Sequence, residues 1–367
     1  MRPAPSDLAC WAWTHAGCLA GLTVPQWELL IRQARSANLL ARLAQRMSDQ
    51  GLLHQVPDAP RQHLLDMLIA SAAQQREIVR EIHLIVDALR PLGLRLVLLK
   101  GAAYVATGLP AVQGRLFSDI DILVPRGALT EVESHLMLRG WMTTHHTPYD
   151  QRYYRNWMHE LPPMQHLRRQ TVLDVHHNIL PLTVRQVPDA QRLLACARPV
   201  DGLGGAWVLA PADMVLHSMA HLLHNDDLSH GLRDLTDLDL LLRHFAAEPG
   251  FWDAIFERAA QLHLQRTLYY GLWASHDLLA TPVPETALAQ ARRSAPAAPL
   301  DGLMRGLWRR TLRTPHPTAA LRFDASARFA LYVRAHWLRM PPLMLARHLT
   351  MKAWMRATAC SDAAAPA

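Results

Sequence analysis

Apolar positions recur at helical spacing through residues 1–92. From Trp27 to Met47 the apolar set includes Leu29, Leu30, Ile31, Leu39, Leu40 and Leu43, and a longer helix is predicted over Pro60–Leu89. Pro91 and Gly93 then act as breakers. At Leu94 the period changes. Leu96-Val97-Leu98-Leu99 is a short apolar run ending at Lys100-Gly101, the pattern of a buried strand. A short helix is expected over Ala102–Thr107, a second strand over Ser118–Val124, and a helix over Pro125–Arg139 closed by Gly140. Further strands are expected over Glu160–Leu167 and Thr171–His177. From Pro211 the pattern is helical again, interrupted by a Pro/Ala-rich stretch, Thr281–Pro299, that reads as a loop or linker.

Strand, helix, strand, helix and two further strands imply an α/β (α+β) core, a small mixed sheet with helices on one face. The expected organisation is an N-terminal helical segment (1–93), the mixed core (94–205), a C-terminal helical domain (206–356) and a disordered tail (357–367). A chain of 367 residues is long enough for this.

Composition narrows the class only a little. Half the residues are hydrophobic and 19% are charged, as in ordinary globular proteins. The four cysteines are scattered, with no metal-type spacing, and read as free thiols. Asp7, His15 and two tryptophans interrupt the N-terminal apolar stretch, which argues against a secretion signal. No window is apolar enough for a transmembrane helix, so a cytoplasmic location is expected. The net charge of +7 favours anionic partners. It is concentrated late in the chain, where Arg305, Arg309, Arg310, Arg313, Arg322, Arg328, Arg334, Arg339, Arg347, Lys352 and Arg356 interleave with Trp308, Trp337 and Trp354. Such helices suit RNA, an acidic protein or an anionic membrane surface, or simply present a solvated basic face over a packed stripe.

The chemistry-bearing segment is Arg115-Leu116-Phe117-Ser118-Asp119-Ile120-Asp121-Ile122-Leu123-Val124. Side chains alternate along a strand, so Asp119 and Asp121 are expected to share one face. Two carboxylates that close repel unless a cation lies between them, and oxygen-only ligation suits magnesium. Gly101 would let backbone approach a phosphate, and the amides of the following helix would face the same anion. Lys100, Arg115 and the Ser118 hydroxyl would neutralise and orient a triphosphate.

An apolar strand ending in Lys-Gly, then a helix, then R-x-x-S-D-I-D-I-L-V resembles the nucleotidyltransferase superfamily of DNA polymerase β. It is most similar to the uncharacterised bacterial nucleotidyltransferase family, and its layout is shared by type IV toxin and abortive-infection nucleotidyltransferases. The resemblance is good over residues 94–180 and weaker beyond. It implies a third carboxylate on a neighbouring strand, matched by Asp174 in Val172-Leu173-Asp174-Val175-His176, with Glu160 in reserve. Asp119, Asp121 and Asp174 would then hold two magnesium ions, with manganese as a substitute, and an NMP would pass from an NTP to an acceptor. His176 matches the family's Asp-x-His element. His217 and His221, with Arg233 and Asp237, match an H-x-x-x-H helix and an L-[RK]-x-L-x-D helix that would close the cleft. One departure is Gly101-Ala102, where the superfamily carries Gly-Ser or Gly-Gly; a phosphate-binding hydroxyl is lost.

The resemblance leaves the acceptor open among a metabolite, a sugar, a protein side chain and an RNA end. It suggests an accessory role in exopolysaccharide, exosortase or peptide biosynthetic systems. A toxin-like enzyme modifying tRNA or protein, and a degenerate scaffold, are the rival expectations. His217, His221 and His224 share a helical face but lack a Glu or Cys completing a zinc motif. His145-His146 and His176-His177 read as strand or loop residues rather than ligands.

Overall fold

The structure is a computed structural model and describes residues 6–144 and 148–339. His145-His146, the basic residues Arg347, Lys352 and Arg356 with Trp354, and the tail from Ala357 lie outside the described residues.

The N-terminal region is helical, as its periodicity implies: α1 (Leu8–Thr14), α2 (Val24–Ser36), α3 (Leu40–Asp49) and α4 (Asp58–Leu89). The apolar stretch from Trp27 to Met47 is two helices rather than one. Asn38 takes a left-handed conformation (φ 54°) between them, which a short amide side chain tolerates better than most. In α4, the buried positions Leu64, Ser71, Ile78, Ile82, Ile85 and Leu89 recur at intervals of seven, four and three and form one face. Gly93, left-handed at φ 59°, turns the chain out of the short 3-10 turn that follows α4.

The core is a seven-stranded mixed sheet. Its strands are β1 (Leu96–Leu99), β2 (Ile120–Leu123), β3 (Trp141–Thr143), β4 (Met164–His166), β5 (Val172–His176), β6 (Arg198–Pro199) and β7 (Ala206–Val208), in the order β3-β4-β5-β2-β1-β7-β6. Helices α5 (Lys100–Ala106), α6 (Leu129–Leu138), α7 (Pro148–Trp157) and α8 (Ala190–Cys196) interleave with them. β1 pairs antiparallel with β2, and β2 pairs parallel with β5. Every residue of β1 and β2 is buried, including Asp121. The second strand is shorter than expected, so Ser118 and Asp119 sit just before it. Three strands (β3, β6 and β7) and helices α7 and α8 have too little periodicity of their own to be read from sequence.

Seven helices complete the described chain: α9 (Pro211–His224), α10 (Gly231–Phe245), α11 (Phe251–Gln261), α12 (Gln265–Leu279), α13 (Glu285–Arg292), α14 (Ala298–Thr311) and α15 (Asp324–Arg339). The Thr281–Pro299 stretch, expected as a loop, contains α13 and the start of α14. Pro284 is the N-cap of α13 and Pro299 lies in the first turn of α14, positions where a missing N–H costs a helix nothing. Central α9, buried along nearly its whole length, packs on α10, α11 and α12. One hydrophobic cluster runs from Leu8 through the sheet to Leu331. Among the described residues no helix is long and apolar enough to cross a membrane.

A buried ion triad ties these layers together. Asp237 on α10 accepts from Arg42 on α3 and, at 3.2 Å, from Arg115 in the β1–β2 connection. Arg42 also donates to Thr236 Oγ1 at 2.7 Å and to the Ala111 carbonyl at 2.6 Å. The connection lies so close to α3 that a Cβ on Gly114 would stand 2.5 Å from the Ala41 carbonyl oxygen. Replacing Asp237 with Ala strands two buried guanidinium groups, so urea denaturation of Asp237→Ala should show a loss of about 3–5 kcal/mol. A loss below about 1 kcal/mol would mean that the triad does not hold the layers.

Candidate active site

The parallel register of β2 and β5 sets Asp121 directly beside Asp174. Two groups converge on one oxygen of Asp121. Lys100 Nζ donates to its Oδ1 at 2.8 Å, and His176 Nε2 lies 2.9 Å from the same oxygen. Lys100 follows β1 with φ of 43°, a left-handed conformation that costs a residue with a Cβ about 1–3 kcal/mol. The strain coincides with an ammonium turned onto the carboxylate.

The electrostatics follow from burial and proximity. Burial works to raise the Asp121 pKa, but the Lys100 charge and the His176 hydrogen bond outweigh it and hold the carboxyl well below its usual range. Burial opposes the charge on Lys100 too, and Asp121 and Asp119 overcome it, so the amine stays protonated. Asp174 goes the other way. Burial, with the charges of Glu160 and Asp121, pushes it well above the ordinary carboxylate range. Its Oδ1 is buried without a hydrogen-bond partner. An unsatisfied carboxylate oxygen next to a second carboxylate is what a cation ligand looks like before the cation is counted. Ligand atoms of Asp121, Asp174 and His176 lie within 4.8 Å of one another. The residues therefore fit a divalent metal.

Two cavities flank this centre, and Lys100, Asp119, His221 and Asn225 border both. The first is also bordered by Arg115, Ser118, Arg233 and Asp237. The second is bordered by Asp174, His176, Glu160 and His217. Asp119 stands at the junction, outside the strand, and its Oδ1 accepts from Ser118 Oγ at 2.8 Å. Ser118 thus orients a carboxylate as well as facing the first cavity.

Other residues singled out in the sequence are held by protein partners. Arg115 is buried against Asp237, and Arg233 donates to Asp234 at 2.7 and 3.0 Å. A Cβ on Gly101 would lie 2.6 Å from Arg115 Nη1 and 2.8 Å from the Phe117 ring. The close approach that this glycine permits is by those two side chains. Ala102 is buried in α5. His217 is buried, His221 Nε2 lies 3.6 Å from Asp234, and His224 Nε2 pairs with Thr267 at 3.1 Å. All three border the second cavity, but among the described residues they do not form a common ligand cluster.

Gln74 has no sequence signal, lying in the middle of α4. Its amide nonetheless clamps the backbone before Asp119, accepting from Phe117 N at 2.9 Å and donating to Phe117 O at 2.7 Å. The basic face is also partly spent inside the fold. Arg305 pairs with Asp301, Arg309 with Asp277, Arg310 with Asp324, and Arg339 with Asp226. Arg334 and Arg339 donate to the Leu223 and His224 carbonyls at the C-terminus of α9, the end of a helix that favours cations.

Burial lowers the His224 pKa to about 3, helped by the Arg334 and Arg339 charges, and lowers that of His217 well below its ordinary value. Both are neutral in the folded protein, whereas the unfolded chain binds protons below about pH 6.5. Stability should therefore fall as pH drops through and below that value. His224→Gln should flatten the acid limb of the thermal midpoint against pH. An unchanged slope would show that His224 protonates without cost in the folded state.

No curated protein matched the chain in a comparison with known sequences. A family model described as "Uncharacterised nucleotidyltransferase" matches residues 23–280, which takes in α2 through α12, with the whole sheet and the residues that border both cavities except His336 and Arg339. The chain belongs to this uncharacterised nucleotidyltransferase family.

Proposed function

We propose that the chain is a magnesium-dependent transferase that moves a nucleoside monophosphate from an NTP to a small hydroxyl-bearing acceptor and releases pyrophosphate. The observation that carries this reading is the unsatisfied, buried Asp174 Oδ1 beside Asp121 in register, with Asp119 at the junction of two cavities. Asp119, Asp121 and Asp174 would hold the magnesium ions, and manganese could replace them. When bound, the ions supply charge stabilisation to the entering and leaving oxygens of an in-line displacement.

The chain's own residues divide the work between the cavities. The triphosphate fits the first, where Ser118, Arg233 and His230 line the wall. Lys100 neutralises Asp121 when no cation is bound and is placed to turn its ammonium to phosphate oxygens once a cation takes over that carboxylate. The acceptor fits the second cavity, on the side of Asp174, whose carboxylate is placed to receive a proton from an acceptor hydroxyl. Tyr154 of α7 and His336 and Arg339 of α15 also border this second cavity. Walls from so many elements favour a metabolite, a sugar or a single protein side chain over a nucleic acid. The ion pairs that occupy much of the described basic face weigh in the same direction, against RNA, an acidic partner or a membrane surface on that face. A location in the cytoplasm and a place beside a biosynthetic system remain parts of this proposal.

Isothermal calorimetry of each NTP with magnesium tests the site. One NTP is expected to bind only with metal, and Asp119→Ala/Asp121→Ala should abolish that binding while staying folded; equal binding by both proteins would overturn the reading. Asp174→Asn should keep NTP binding and lose turnover by about 100-fold or more, the scale of a lost proton acceptor. Its acceptor-independent hydrolysis of the bound NTP, followed as pyrophosphate release, gives the readout.

A further inference from the structure

The second cavity holds a cluster that the transfer reaction does not use. His159 and Glu160 lie just before β4, and their ligand atoms come within 4.8 Å of those of His176 at the end of β5. The two imidazole rings face each other obliquely, with centroids 5.2 Å apart. His176 is only 3% exposed, and its Nδ1 lies 3.3 Å from Glu160 Oε2 without making a hydrogen bond. His159 Nδ1 is likewise buried and unpartnered. Unpaired buried nitrogens are costly, and two beside one carboxylate need a common explanation.

The other nitrogen of His176 supplies it. Nε2 lies 2.9 Å from Asp121 Oδ1. A carboxylate there fixes the hydrogen on Nε2 and leaves Nδ1 with a free lone pair beside Glu160 and His159. Metal-ligating histidines are oriented in this way, with one ring nitrogen donating to a carboxylate and the other free to bind. We infer that His159, Glu160 and His176 form a site for a transition-metal cation of the zinc type, adjoining the magnesium carboxylates through His176, with Asp121 as an outer partner. Two imidazoles and one carboxylate select such an ion over magnesium, which prefers oxygen ligands. Three protein ligands leave one tetrahedral position open. It would give onto the cavity that Asp174 also borders, where an acceptor oxygen could occupy it. The inference goes beyond the transfer reaction and stands without it.

Cobalt is the probe, because its visible absorption reports coordination independently of any activity. Chelator-stripped full-length protein is dialysed against Co2+ in a large excess of Mg2+, which saturates the carboxylate site. One equivalent of cobalt with the intense visible band of four-coordinate Co2+ is expected. His159→Ala and Glu160→Gln should each weaken uptake by about tenfold or more, whereas Asp119→Asn should leave it unchanged. Glu160→Gln keeps the size and shape of the side chain, and circular dichroism checks that every variant is folded. Absence of uptake in excess Mg2+ would overturn the inference and leave His176 as a protonated link between Asp121 and Glu160. Uptake lost in folded Asp119→Asn but kept in the other two would overturn it equally, assigning the cobalt to the magnesium carboxylates. NTP binding with magnesium is measured on the same proteins, so a failure of this site and a failure of the transferase reading give different patterns.

Discussion

The arrangement depends on a carboxylate buried in the middle of a sheet. Asp121 sits on a strand whose every residue is buried, where an unpaired negative charge would cost several kcal/mol. The fold answers with a lysine and a histidine that meet on a single oxygen. Because β2 and β5 run parallel in register, the same geometry brings a second carboxylate, Asp174, alongside. That neighbour receives no such compensation and keeps an unsatisfied oxygen. One acid is neutralised from within and the other keeps an oxygen that no protein group satisfies.

Much of the surrounding structure holds this centre in place. Asp119 lies outside the strand, so its position depends on the segment that leads into it. Gln74 of α4 grips that segment by its backbone. Arg115 and Phe117 pack into the space that Gly101 leaves open, and Arg115 is anchored in turn by Asp237 together with Arg42. The N-terminal helices and α10 are therefore parts of one support for the β1–β2 connection. The family match extends from residue 23 to residue 280, which agrees with a site whose supports lie well beyond the sheet.

Legibility varied with the reach of the interactions. β1, α4, α5 and α9 each carry their signal in consecutive residues, as apolar runs or helical spacing, and were readable. Asp121 stood out because a carboxylate between apolar residues of a strand breaks a local pattern, and Asp174 was matched through the family resemblance. β6, of two residues, and β7, of three, are strands only because neighbours pair with them. The prolines of Thr281–Pro299 suggested a loop, yet they mark helix starts, a distinction that depends on which N–H groups the packing leaves free.

By itself, then, the sequence determined the alternation of helix and strand around residues 94–180, the acids set among apolar residues and the family they resemble. These follow from side-chain period and from the rarity of charge in apolar runs, both local properties. Tertiary structure alone decided what each charged group faces. Lys100 and Arg115, readable as phosphate ligands, meet Asp121 and Asp237, and the basic C-terminal helices turn many of their arginines to acids and helix ends. The approach of His159 and Glu160 to His176 belongs to the same class. Such pairings join residues far apart in the chain, and only the packing of the layers brings their atoms within a few ångströms.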